Sequence, residues 1–255
     1  MSATEILGLT AAAALAGAMN AVAGGGTLVT FPTLLVFGTP AIVANATSTL
    51  ALMLGTAGSV FGYRRRIAAV KPWLWRFVPV SILGALAGSW LLTHTTEKTF
   101  SKLVPFLILF ATLLFLAQGF LRRKASPGAL PARSLAIWAA VAFQLAVAVY
   151  GGYFGAGIGI LMLASLGLLG LADINEMNAL KTVLASLINL VASIWFLSAS
   201  LVDLPRAAIM TGGALVGYFV GAHYSQRVPQ AWVRRIVTLI GFILAAATFY
   251  KEFLK

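Results

Sequence analysis

The amino-acid sequence predicts an all-α, polytopic membrane protein of two inverted-topology repeats, each a broken-helix or re-entrant hairpin followed by three transmembrane helices. Three observations predict this. The composition is too poor in charge for a water-facing surface, the apolar runs have membrane-crossing length, and an internal repeat carries loop charges that point its copies in opposite directions.

Of the 255 residues, 60% are hydrophobic and only 9% are charged, and the mean hydropathy is +0.96. Soluble domains carry about 25% charged residues, so lipid has to solvate most of this exterior. The absence of cysteine excludes disulfides, thiolate metal sites and cysteine nucleophiles. A net charge of +12 would suit nucleic acid, but the basic residues sit in short loops between apolar runs, as the positive-inside rule expects. Anionic lipid headgroups are therefore the expected partners, and nucleic acid is not.

A membrane helix needs about 20 apolar residues. Breaks at Arg64–Lys71, His94–Lys102, Arg122–Arg133, Ala172–Glu176, Ser198–Arg206 and Arg227–Arg235 leave no room for a soluble catalytic domain. Ten apolar segments result: 4–23, 27–38, 40–62, 73–93 and 100–121, then 134–154, 158–171, 175–198, 206–225 and 232–251. The first begins with Met1–Glu5, which has no basic residue and one acid. It reads as a membrane helix and not as a signal peptide, despite Ala21-Val22-Ala23.

The repeat has an offset of roughly 130 residues. Gly84-Ala-Leu-Ala-Gly88 before His94 matches Gly213-Ala-Leu-Val-Gly217 before His223. Gly24-Gly25-Gly26-Thr27 matches Gly155-Ala156-Gly157-Ile158-Gly159, and Asn45-Ala46 matches Asn178-Ala179. The chain divides into a first repeat (1–124), a cytoplasmic linker (125–133) and a second repeat (134–255) that together form one membrane domain.

Twelve basic residues (Arg64, Arg65, Arg66, Lys71, Arg76, Arg122, Arg123, Lys124, Arg133, Arg227, Arg234 and Arg235) belong inside. Lys98, Lys102, Arg206, Lys251 and Lys255 fall opposite, which puts both termini on the periplasmic side of an inner membrane. Each half then needs a hairpin that returns to its starting side, followed by three crossings. The odd number of crossings inverts the second copy. Inverted repeats with broken helices are the pattern of alternating-access transporters, which bind substrate where the halves meet.

The segment after Gly24–Gly26 is too short to cross alone, so it starts at depth. Its free N–H groups and dipole suit a small anion. Gly155, Gly157 and Gly159 offer the same device in the second half, which makes Gly24, Gly25, Gly26 and Thr27 candidates together with them. Lys181 lies within an apolar run, where a charge is expensive. It is the candidate counter-charge, unless it snorkels to the headgroups. Asn178, Ala185 and Asn189 share its helix face.

The first half offers Asn45, Ser48 and Thr49, with Thr47 beside them. Asn20 and Gln144 are further buried-polar candidates that serve equally well as helix–helix hydrogen bonds. Gly84, Gly88, Gly213 and Gly217 read as helix-packing residues. His94 and His223 read as interfacial, Asp173 as a helix cap and Trp73, Trp75, Trp195 and Trp232 as belt anchors. No metal, cofactor or catalytic motif is present, so the chain is not read as an enzyme.

These motifs resemble the sulfite exporter TauE/SafE family of permeases. The resemblance rests on Ala23-Gly-Gly-Gly-Thr-Leu-Val-Thr-Phe-Pro32, Ala44-Asn-Ala-Thr-Ser48 and Tyr63-Arg-Arg-Arg66, then on Tyr150-Gly-Gly-Tyr-Phe-Gly-Ala-Gly157 and Asn178-Ala-Leu-Lys181. It implies transport, usually export, of sulfite, sulfoacetate or other organosulfonates. Relatives often carry Asp where this chain has Asn20 and Gly151, so proton coupling through those positions is not expected. A passive anion channel and a non-transporting membrane scaffold are the alternatives, and an oligomer is compatible with either.

Overall fold

The computed structural model describes residues 1–22, 25–62, 64–124, 134–168, 174–224 and 230–254. Among them are ten α-helices and no strand. The first half holds α1 (Ala3–Val22), α2 (Thr27–Val36), α3 (Ala41–Gly62), α4 (Arg64–Thr93) and α5 (Glu97–Lys124). The second holds α6 (Ser134–Tyr153), α7 (Ile158–Leu168), α8 (Ile174–Ser198), α9 (Leu204–Tyr224) and α10 (Gln230–Phe253). The linker 125–133, Gly24 and Asp173 lie outside the described residues.

The expected apolar segments each correspond to one of these helices, but several charged stretches expected as breaks are helical, most extensively at the start of α4. There the basic stretch Arg64–Lys71 is helical and not a break, so α4 runs for 30 residues. Arg, Lys and Ala are strong helix formers, and their long stems let the charged ends reach water while the backbone stays helical. Arg64 shows this, with its guanidinium 4.3 Å from the Phe61 ring centroid. α5 likewise takes in Glu97–Lys102 and Arg122–Lys124.

The helices are inside out relative to a soluble protein. Phe219 is 78% exposed and Trp75 75%, whereas Thr30, Thr47, Ser48, Ser81 and Ser89 are fully buried. Such a surface calls for hydrocarbon around it. Among the described residues, three helices, over Ala41–Gly58, Arg66–Thr93 and Glu176–Ser198, are long and apolar enough to cross a membrane.

Packing exchanges elements between the halves. α1 lies along α9, α4 along α6 and also along α8, α3 against α8 and α9, and α5 against α10. Small residues set the closest approaches. A Cβ on Gly84 would lie 2.8 Å from Leu145 O, and one on Gly213 would lie 2.5 Å from Thr10 O. One turn on, Gly88 abuts Val149 O and Gly217 abuts Ala14 O, too close for any side chain. Each seam is therefore backbone against backbone.

One face of the molecule is knitted by polar contacts. Arg206 pairs with Glu5 at 2.6 Å and with Asp203 at 3.0 Å, and donates to Phe37 O at 3.3 Å. Asp203 also accepts from Arg206 N–H, capping α9. Glu97 accepts the first amides of α3, from Ala41 and from Ile42 (3.1 Å). The opposite face carries the start of α4 with Arg64–Arg66 and the start of α10 with Arg234 and Arg235.

Candidate functional site

The two short helices set the depth of the site. α2 has 10 residues and α7 has 11, which is about 15 Å each, roughly half the hydrocarbon thickness. α2 ends with Phe37 against Gly8 and begins with Gly26 against Ala16 and Asn20, so it folds back along α1. Gly25 (φ 90°), Gly155 and Gly157 (both φ 80°) make the turns before these helices, in a region that side chains rarely adopt.

The two N-termini differ. At α2, Gly26 N–H donates to Asn20 Oδ1 at 2.7 Å. Leu28, Val29 and Thr30 donate to the carbonyls of Gly25 and Gly26. This end is largely closed by its own turn. At α7, Ile160 N–H reaches Gly157 O at 3.0 Å, and Tyr150 holds the turn through its hydroxyl on Ala156 O at 2.8 Å. The amides of Gly157, Ile158 and Gly159 have no hydrogen-bond partner among the described residues.

A cavity of about 130 Å³ lies where both turns meet α3, α8 and α9. Gly25 and Thr27 line it from the first half, and Gly155, Gly157 and Gly159 from the second. Lys181 lines it too, half-buried, and donates to Asn178 Oδ1 at 3.2 Å. Its stem crosses over Gly159, whose absent side chain would stand 3.4 Å from Lys181 Cδ. The ammonium-bearing chain therefore lies against the open N-terminus of α7. No Asp or Glu is among the lining residues.

The helix faces that line the cavity are Thr49, Leu52 and Thr56 on α3, and Thr182, Ala185 and Asn189 on α8. Members of these two sets are separated in sequence by the same interval as Asn45 and Asn178. Thr49 and Thr56 spend their hydroxyl protons on Asn45 O (2.9 Å) and Leu52 O (2.6 Å).

Of the residues the sequence singles out, Asn20, Gly25, Thr27, Thr49, Gly155, Gly157, Gly159, Lys181 and Asn189 line this one cavity. Others sit elsewhere. Asn45 donates to Tyr153 O at 3.0 Å, Ser48 bonds Thr30 at 2.6 Å, and Thr47 accepts from Asp203 N–H at 3.0 Å. Gln144 donates to Ser81 at 2.9 Å. These four tie helices together. Asn178 touches the site through Lys181, and Gly26 backs it through Asn20.

Sequence reasoning passed over Thr56, Thr182 and Tyr218. Thr56 follows Asn45 and Thr49 on one helical stripe, a usable signal; Tyr218 stands among glycines and apolar residues and carries none. His94, with Nδ1 2.8 Å from Trp90 O, and His223 are both exposed and outside the cavity lining.

The model of the family described as "Sulfite exporter TauE/SafE" matches residues 9–248. The chain belongs to this family. A "Probable membrane transporter protein" of Haemophilus influenzae is 28% identical over 240 residues, covering 93% of this chain and 92% of its own. "Probable membrane transporter protein YfcA" of Escherichia coli K12 is 25% identical over 245 residues, covering 93% and 87%. A Sinorhizobium protein, "Probable membrane transporter protein ORF9", matches at 29% over 104 residues, covering 41% and 40%. No solved structure matches the chain significantly. This TauE/SafE member is accordingly an integral membrane transporter and not an enzyme.

Proposed function

We propose that this protein is a secondary transporter, an exporter, of small sulfur oxyanions or organosulfonates such as sulfite or sulfoacetate, working by alternating access across the inner membrane. The observation that carries the reading is the cavity itself: an acid-free chamber where Lys181 lies over the unpartnered amides of α7. Anions gain from both the ammonium and the helix N-terminus. Lys181, Gly157 and Gly159 bind the oxyanion head, Gly25 and Thr27 close the chamber opposite, and Asn178 positions the lysine.

The two halves are inverted repeats in this reading. Reciprocity of contact supports it: Gly84 and Gly88 meet Leu145 and Val149 as Gly213 and Gly217 meet Thr10 and Ala14. The matched lining of α3 and α8 supports it as well. The basic ends of α4 and α10 face the cytoplasm and the Glu5–Arg206 face lies in the periplasm, following the positive-inside rule. Both termini are then periplasmic.

The test is sulfite flux into proteoliposomes by the full chain and by Lys181→Gln. Loss of a charged hydrogen bond is worth about 1.5–3 kcal/mol, so the variant should lose roughly 10- to 150-fold in kcat/KM. Parental rates in the variant would remove Lys181 from the mechanism. Flux that never saturates would instead describe a channel, and no flux of any sulfur anion a scaffold.

A further inference from the structure

One buried group beside this cavity is still without a role. Tyr218 on α9 lines it and is only 8% exposed, yet among the described residues no hydrogen bond of good geometry is made by its hydroxyl, whose polar neighbours are Thr56 and Asn20. A buried phenol normally finds a partner. Its ring packs on Gly55, where any Cβ would overlap it, so the position is built for an aromatic ring. Asn20 lines the same chamber, and with Oδ1 taken by Gly26 N–H it has its amide nitrogen to offer. In the first half, the position that matches Tyr218 by the spacing of Gly88 and Gly217 is Ser89. There the hydroxyl is already used, donating to Gly152 O at 3.4 Å.

We propose that Tyr218 is a substrate-contact residue whose hydroxyl, together with the Asn20 amide, donates to oxygens of the anion that Lys181 balances. The inference deepens the transport reading and rests on it. The chamber then offers an ammonium and two neutral donors to one solute. It favours an oxyanion with several acceptor oxygens, a sulfite or a sulfonate head.

The experiment uses the full-length chain in proteoliposomes with sulfite as the probe, uptake being measured over a concentration series. Tyr218→Phe keeps the ring on Gly55 and removes only the donor. Its KM should rise about tenfold while the maximal rate stays within about twofold, the tenfold corresponding to about 1.4 kcal/mol. Its melting temperature without sulfite should stay close to the parent's, since the hydroxyl makes no well-formed internal hydrogen bond. Ser89→Ala, the matched position, should keep the parental KM. A parental KM in Tyr218→Phe, or failure of that variant to fold, overturns the assignment, while saturable flux by the parent keeps the transport reading intact. Absence of flux in the parent for sulfite, thiosulfate and sulfoacetate alike removes both.

Discussion

Replacing Gly217 by Ala tests the α1–α9 seam most directly. A Cβ there would overlap Ala14 O and lie 2.6 Å from Ala14 C and 2.8 Å from its Cα, all backbone atoms that no rotamer change can move. Restoring ordinary contact of about 3.4 Å with the carbonyl carbon alone requires α1 to retreat by roughly 1 Å, and a gap of that size forfeits a quarter to a half of each dispersion contact it opens. Overpacking typically costs about 1–3 kcal/mol. A backbone-on-backbone clash belongs at the upper end, about 3 kcal/mol. The control lies on the same helix: Gly212 is exposed, and a methyl added there would meet nothing within 4 Å. Gly212→Ala should stabilise α9 by about 0.5–1 kcal/mol through helix propensity alone. The assay is thermal unfolding in detergent of the parent and both variants side by side. Opposite signs are expected from one chemical change, five residues apart. If Gly217→Ala melts with or above the parent, the two helices are not in the contact described here.

Two further outcomes follow from the same geometry. Gly159→Ala places a methyl 3.4 Å from Lys181 Cδ with no positive φ to strain, so the protein should keep its melting temperature to within about 1 kcal/mol of stability while losing sulfite transport as the chamber fills. Retained transport would show that the chamber is not where the solute sits. Glu97→Gln weakens the cap on Ala41 and Ile42 and should cost about 0.5–2 kcal/mol; parental stability in a chemical-denaturation series would contradict the capping role.

Helix number and most helix ends could be read from the chain because glycines, prolines and charges interrupt the apolar runs where the backbone turns. The start of α4 could not, since Arg64–Lys71 combines polarity with high helix propensity. For the cavity, Lys181 and the glycine turns stood out because charge and broken helices are costly in lipid. Rotation about a helix axis is less legible in the sequence. Asn45, Ser48 and Thr49 are close enough in sequence to share one broad face, and only packing decides that Thr49 lines the chamber while Asn45 and Ser48 lock helices. Tyr218 gave no signal, since its role depends on Gly55, far away in sequence.

The interlocked glycines also restrict how this protein can move. α1 with α9, and α4 with α6, are joined where glycines of one helix press directly on backbone atoms of the other. Each such couple draws one member from residues 1–124 and one from 134–255. In the proposed alternating-access cycle the moving parts are therefore composites: one mixed couple turns against the other about the α3–α8 contact, and residues 1–124 never separate as a body from residues 134–255.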